Sequence, residues 1–140
     1  MKTSQGFTLV ELMIAVAIVA IMSVMAISSM SHMMANNKIS QTTQTIAQSL
    51  RVARSRAMEL SSDVTVIIDS TSVLSQVQNG AAGAIRTALP LGVNVSGTAK
   101  FVFNSYGMAS TAGTVSIAST SSQKVTPRTV VVSPLGQVIQ

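Results

Sequence analysis

The stretch from Phe7 to Asn79 contains neither glycine nor proline. These two residues are the strongest helix breakers, so their absence over such a length favours a long helix. Residues 12–27 are apolar except for Ser23. Farther along, apolar residues recur three, four or seven positions apart, which is the spacing of one helical face; they are Ile39, Ile46, Leu50, Ala53, Ala57 and Leu60. The sequence therefore predicts a single helix over about residues 7–61, apolar on all sides in its first half and amphipathic in its second half.

Three arginines lie in the amphipathic half of this helix, at Arg51, Arg54 and Arg56. Charged residues that accompany an apolar stripe ordinarily face solvent. We therefore expect these three to form a solvated flank of the helix, with contact to a neighbouring molecule as the alternative.

After Asp63 the composition changes to short runs rich in valine, isoleucine and threonine. Seven of the eight glycines lie from Gly80 onward and all three prolines from Pro90 onward, as expected for strands joined by turns. The candidate strands are residues 64–69, 72–77, 84–89, 100–103, 114–119, 128–132 and 137–140, with turns at 79–83 and 133–136. The sequence thus predicts an α+β fold, in which the long N-terminal helix packs on a small antiparallel β domain of six or seven strands.

The chain offers few groups for catalysis or metal binding. It has no cysteine, which excludes a disulfide framework and thiol chemistry, and its single histidine is His32. The four acidic residues are dispersed and lack the spacing of metal ligands; they are Glu11, Glu59, Asp63 and Asp69. No glycine-rich phosphate loop and no nucleophile with a partner base is evident. We expect a protein that is not an enzyme and has no catalytic residues, bound metal or cofactor.

Glu11 interrupts the otherwise apolar start of the helix, although an ionised carboxylate in hydrocarbon costs about 2.5–3.5 kcal/mol or more. A secretory signal cleaved after Ser28 leaves this glutamate unexplained. Residues 7–30 would form about 36 Å of helix, enough to span a bilayer, but a plain membrane anchor does not explain it either. An interfacial carboxylate that extends to the lipid headgroups is a further alternative.

The residues Gly6-Phe7-Thr8-Leu9-Val10-Glu11-Leu12 follow a short basic leader. In this respect the chain resembles type IV pilins and type II secretion pseudopilins, which carry a class III signal. The resemblance implies a leader of residues 1–6 and cleavage between Gly6 and Phe7 by a prepilin peptidase. It also implies that Phe7 becomes the N-methylated first residue and that Glu11 is required for assembly.

Physical chemistry gives a reason for that role of Glu11. Cleavage would create a cationic amine on Phe7, which lies one helical turn from Glu11, and the helix macrodipole favours a carboxylate near a helix N-terminus. In a bundle of stacked subunits, the carboxylate could instead pair with the amine of a neighbour. Either pairing would offset the burial of the charge, whereas an unpaired buried charge is strongly destabilising.

The second half of the chain is similar to the GspH/FimT-like group of minor pilins and pseudopilins. The resemblance rests on "FVFNSYGMAS", "GTVSIAS" and "RTVVVSPLGQVIQ", an aromatic-rich strand with a following glycine and then a closing hairpin. It implies a leader (residues 1–6), a membrane or filament-core helix (7–30), the amphipathic part of the same helix (31–62) and a β-rich head (63–140).

The same resemblance implies where the protein is found and what it contacts. The chain would cross the inner membrane once, with its head in the periplasm, and would be extracellular when assembled in a pilus. Its partners would be other pilin or pseudopilin subunits, contacted through the N-terminal helix, and the prepilin peptidase. The machine could be a type IV pilus, a competence pilus or a type II secretion system, and a priming or tip position is expected.

An alternative function is the capture of extracellular DNA, as in some FimT-like minor pilins. The net charge is +5, and removal of Lys2 with the leader leaves eight basic and four acidic residues, or +4. The candidate DNA-binding residues are Lys124, Arg128, Arg86 and Lys100. The DNA-binding FimT-like proteins carry arginines beside the closing glycine, however, and here Gly136 is followed by Gln137 and apolar residues.

Overall fold

The computed structural model describes residues 6–77, 84–120 and 125–140, and of residues 24–29 it describes the backbone alone. One long helix, α1 (Leu9–Glu59), makes up the N-terminal part. The predicted helix is therefore present and is two residues shorter at each end than expected. At 51 residues it is about 77 Å long, given a rise of about 1.5 Å per residue.

The C-terminal end of α1 is closed by a turn in which Ser61 adopts a left-handed conformation, with φ of 47°. Ser62 N–H donates to Ala57 O (3.2 Å) and Ser61 N–H to Met58 O (3.4 Å), the bond pattern of a Schellman cap. The cap satisfies carbonyl groups at the end of the helix and turns the chain back toward the first strand.

Within the described residues, eight strands follow the helix and form two antiparallel four-stranded sheets. The strands are β1 (Val64–Ile68), β2 (Ser72–Val77), β3 (Ile85–Ala88), β4 (Val93–Gly97), β5 (Lys100–Phe103), β6 (Gly113–Ser119), β7 (Arg128–Val132) and β8 (Val138–Ile139). Sheet A has the order β3-β2-β1-β5 and sheet B the order β4-β6-β7-β8. The α+β architecture predicted from the sequence is confirmed.

The seven runs predicted as strands correspond to β1–β3 and β5–β8, with β6 beginning one residue earlier than predicted, but β4 was not predicted. Its sequence, VNVSG, is short and ends in a glycine, and among the described strands β4 pairs with β6 alone, at the edge of sheet B. The predicted hairpin between β7 and β8 is present, with Gly136 N–H donating to Ser133 O (2.9 Å). The predicted turn at 79–83 lies outside the described residues.

The core lies between the amphipathic half of α1 and the inner faces of both sheets. Five of the six residues predicted for the apolar face of the helix are fully or almost fully buried, namely Ile39, Ile46, Leu50, Ala53 and Ala57. Leu60 is 43% exposed because the helix ends at Glu59. The sheets contribute alternate residues, among them Val64, Val66, Phe101, Phe103, Val115, Ile117, Val130 and Val132.

Arg51 is exposed, as expected for a solvated flank, but the expectation is wrong for Arg54. The half-buried Arg54 donates from Nε to Gly107 O (2.9 Å), and Arg51 donates from Nη2 to Val138 O (3.4 Å). The prediction failed for Arg54 because the loop at Gly107 folds back against the helix, and its carbonyl group takes the place of water.

Two glycine-containing loops meet beside Arg54, and both glycines are buried. Gly107 and Gly136 each have φ of 74°, a conformation that side chains disfavour. A Cβ on Gly136 would collide with the carbonyl oxygen of Gly107. The two loops are also joined by Ala109 N–H, which donates to Pro134 O (3.0 Å). This contact therefore requires glycine at 136 for both conformation and space.

We predict that Gly136→Ala destabilises the fold more than Gly92→Ala does. Both positions have positive φ, which costs a residue with a side chain about 1–2 kcal/mol. At Gly92 a Cβ would meet only Lys38 Nζ and Thr120 Oγ1, at 3.7 and 3.8 Å, so Gly92→Ala should cost no more than this. Urea unfolding followed by circular dichroism measures the difference, and equal losses would contradict the tight contact between the loops.

Candidate functional site

The helix begins with a reciprocal cap formed by Thr8 and Glu11. Glu11 N–H donates to Thr8 Oγ1 (3.3 Å), and Thr8 N–H donates to Glu11 Oε2 (3.2 Å). The Thr8 hydroxyl lies 3.1 Å from the same carboxylate oxygen. This is a capping box, which satisfies backbone donors that the first helical turn leaves open. In this chain the Glu11 carboxylate is therefore held by Thr8.

The sequence-based interpretation did not identify Thr8 as a partner of Glu11, although a signal was present. A threonine followed three residues later by a glutamate, just before an apolar run, is the sequence pattern of a capping box. The expected pairing of Glu11 with an amine on Phe7 requires cleavage, because Phe7 is still in peptide linkage with Gly6. The structure therefore leaves that pairing as a prediction.

The Gly6–Phe7 bond precedes the helix and lies in an open part of the chain. Residues 6–8 have no regular secondary structure, and Gly6 is exposed, as is Phe7 with 82% of its surface accessible. A Cβ on Gly6 would meet no atom within 4 Å among the described residues. The geometry leaves this bond accessible to another protein.

The first part of α1 presents apolar side chains on its surface. Leu9, Leu12, Met13 and Val16 are all exposed, and they line one side of a shallow apolar surface together with Ala17 and Ala20. Large exposed apolar patches of this kind mark interaction sites. Among the residues that the structure describes, no helix is long and apolar enough to cross a membrane.

Two of the four candidate DNA-binding residues lie on one face of sheet A. Arg86 on β3 is opposite Leu74, Leu74 is opposite Ile67, and Ile67 is opposite Lys100 on β5. Directly opposed residues of antiparallel strands share a face, so these four side chains form one row. Ile67 is 38% exposed, which identifies the face as the outer one. Three strand spacings put Arg86 and Lys100 about 14 Å apart.

The other two candidates are not part of this row. Arg128 is exposed at the start of β7 in sheet B, where it pairs with Ile117. Lys124 lies outside the described residues. Among the described residues, no three histidine or acidic side chains are grouped closely enough to hold a metal ion. Asp69 accepts a hydrogen bond from Ser70 N–H (2.7 Å), consistent with a role in the turn after β1.

The fold is similar to that of two solved bacterial proteins. The type IV minor pilin FimU of Pseudomonas aeruginosa matches with a TM-score of 0.62 and 13% identity, over 74% of this chain and 87% of that one. The minor pseudopilin EpsH of the Vibrio cholerae type 2 secretion system matches with a TM-score of 0.59 and 17% identity, over 73% and 94%. At these identities the likeness establishes the fold alone. Among curated protein sequences, none matches this chain.

Family models identify both ends of the molecule. Residues 1–27 match the prokaryotic N-terminal methylation motif, which contains Gly6, Phe7 and Glu11. Residues 42–136 match the type II transport protein GspH, from the amphipathic half of α1 to the closing hairpin. The second match covers more than half of the chain. The protein therefore belongs to the GspH family of minor pilins and pseudopilins, and it carries their N-terminal methylation motif.

Proposed function

We propose that the protein is a minor subunit of a type IV pilus or a type II secretion pseudopilus. In this proposal residues 7–30 insert in the inner membrane, the head lies in the periplasm, and the processed chain joins the filament through α1 at a priming or tip position. The observation that carries the proposal is the open Gly6–Phe7 bond immediately before a capped helix with an exposed apolar surface. The proposed role is structural and involves no catalytic activity.

The geometry before α1 suits proteolytic processing. A peptidase needs its substrate in an extended form, and residues 6–8 precede the helix without regular structure. The capping box starts at Thr8, so removal of residues 1–6 leaves both partners of the cap in the mature chain. The new amine on Phe7 would then stand next to a helix whose N-terminus is already formed.

Glu11 is suited to bind a second group while it caps the helix. Its hydrogen bonds to Thr8 both use Oε2, and a carboxylate has about four lone-pair sites on its two oxygens. Oε1 can therefore accept a hydrogen bond from the amine of a neighbouring subunit without loss of the cap. Such a contact would pair two charges and fix the axial position of one helix against the next.

The first prediction of this proposal concerns processing. Mass spectrometry of the membrane-extracted protein should find a mature chain that begins with Phe7 carrying one methyl group. Gly6→Val should leave the fold unchanged, because no atom of the described residues lies within 4 Å of a Cβ at this position, yet it should keep the leader attached. A mature N-terminus at Ser29, or an unprocessed wild-type chain, would contradict the proposed cleavage.

The second prediction separates the charge of Glu11 from its capping role. Glu11→Gln keeps an acceptor for Thr8 N–H but removes the charge, whereas Glu11→Ala removes both. We expect both variants to be inserted and cleaved normally and both to be incorporated poorly into filaments, measured by immunoblotting of sheared filament fractions. Thr8→Ser, which keeps the cap, is the matched control. Normal incorporation of Glu11→Gln would reduce the role of Glu11 to capping.

A second candidate function, DNA capture, is favoured by the shared outer-face position of Arg86 and Lys100. Two cations about 14 Å apart could contact phosphates several nucleotides apart on one strand. Arg128 and Lys124 could add contacts from the segment that leads into the last hairpin. Few aromatic residues are available for stacking, so binding would rest mainly on phosphate neutralisation.

We predict weak DNA binding that is independent of sequence, measured by fluorescence anisotropy of labelled duplexes with the solubilised full chain. Two phosphate contacts give a slope of about −2 for log K against log salt concentration. Arg86→Glu and Lys100→Glu should each weaken binding equally for every sequence, and Lys124→Glu/Arg128→Glu tests the second location. Absence of binding at low salt would leave only the structural role.

A further inference from the structure

We propose that the end of the head nearest the membrane binds phospholipid headgroups before the subunit is assembled. We call this end the basal surface, and its residues are Lys38, Leu91, Gly92, Ser119 and Thr120. The inference rests on the proposed membrane insertion of α1, and it adds a second, separate contact between the chain and the bilayer.

Direct contacts hold the basal surface together. Lys38 Nζ donates to Leu91 O (3.3 Å), which fixes the turn before β4 against the helix. Thr120 N–H donates to Gly92 O (3.1 Å), which joins that turn to the end of β6. Below them lies a notch of about 270 Å³ that extends down the helix to Ser31. The head therefore reaches along α1 to the level of the last residues before Lys38.

The helix provides a scale for the position of this surface. Lys38 is the first formally charged residue after Glu11. The two are 27 positions apart in one helix, which corresponds to about 40 Å. A bilayer including its headgroup regions is about 40–45 Å thick. When the Glu11 carboxylate lies at the headgroups of one leaflet, Lys38 therefore lies at those of the other.

The chemistry of the surface matches this position. Leu91 is 83% exposed although it is apolar, and it would enter the boundary between headgroups and acyl chains. The Lys38 ammonium has three donors and uses one for Leu91 O, so it can also bind a lipid phosphate. The Thr120 side chain, exposed at the notch, adds a hydroxyl. The carboxylate of Asp69 lies at the same end of sheet A. It is held within its own turn, where it accepts hydrogen bonds from the N–H and the hydroxyl of Ser70 (2.7 and 3.4 Å).

The test uses the full chain in nanodiscs of zwitterionic and anionic phospholipid, with bromine on the acyl chains near the headgroups as a quencher. The protein contains no tryptophan, so a single introduced tryptophan is the only one present. We expect brominated lipid to quench Leu91→Trp. Leu135→Trp should stay unquenched, because Leu135 is also exposed (64%) but lies in the hairpin near Arg54, about 24 Å farther along the helix.

A charge variant tests the phosphate contact. In the Leu91→Trp background, quenching gives the ratio of lipid-bound to unbound heads. Lys38→Gln should lower this ratio about fivefold, the effect expected for one basic residue near an anionic surface. Arg51→Gln is the matched control, since Arg51 also donates to a carbonyl of the head but lies about 20 Å farther along α1. It should leave the quenching unchanged, and an equal loss in both variants would overturn the role of Lys38.

Val19→Trp, at an exposed position in the apolar half of α1, separates this inference from the proposed function. Quenching of Val19→Trp without quenching of Leu91→Trp would overturn the basal contact and leave membrane insertion intact. An unquenched Val19→Trp would overturn insertion and the basal contact together. If Leu91→Trp is shielded from aqueous iodide but is not quenched by brominated lipid, a second copy of the chain covers the surface, and the lipid contact is wrong.

Discussion

The structure depends on the burial of one apolar stripe of α1 against two separate sheets. Ile46 and Leu50 fill the space between helix and strands, and Ala47, Ala53 and Ala57 allow the strands to approach closely. Sheet A and sheet B each turn their inner apolar residues toward this stripe. Without the helix, both inner faces would be open to water, so the head cannot be separated from the amphipathic half of α1. The other half of the helix is fixed to the head only because the helix is continuous.

Apolar packing alone does not determine the height of the head on the helix, because similar side chains recur every three or four residues. Hydrogen bonds at two separate positions along α1 determine it. Lys38 holds the turn at Leu91, and Arg54 holds the loop at Gly107, 16 residues farther along. A shift of the head by one helical turn would break both bonds. It would also leave the Gly107 carbonyl without its partner, which is costly in a partly buried site. These cations therefore set the register between helix and sheets.

How much of the structure can be predicted from the sequence depends on how far apart along the chain the interacting residues lie. The long helix and seven strands were predictable because they depend on local periodicity and on the position of glycine and proline. The strand β4 was missed because Asn94, Ser96 and Gly97 give it little local signal. The contacts of Arg51 and Arg54 join segments more than fifty residues apart, so no local pattern indicates them. The shared face of Arg86 and Lys100 depends on strand register, and a slip of one residue would reverse it. Only the Thr8–Glu11 cap was visible in the sequence and not identified there.

The two ends of the apolar half differ in a way that bears on the proposed transfer from membrane to filament. Lipid chains and neighbouring helices are both apolar, so exchange of one for the other changes the free energy of the exposed leucine, valine and methionine side chains little. The direction of the exchange must then come from the polar groups at the two ends. Glu11 is bonded to Thr8 but retains an oxygen for a further donor, and an amine of another subunit is a stronger partner than water. The Lys38 end offers a single ammonium and one exposed leucine, a contact weak enough to release. Strong pairing at one end and weak binding at the other would favour extraction of the helix without a large barrier at the head.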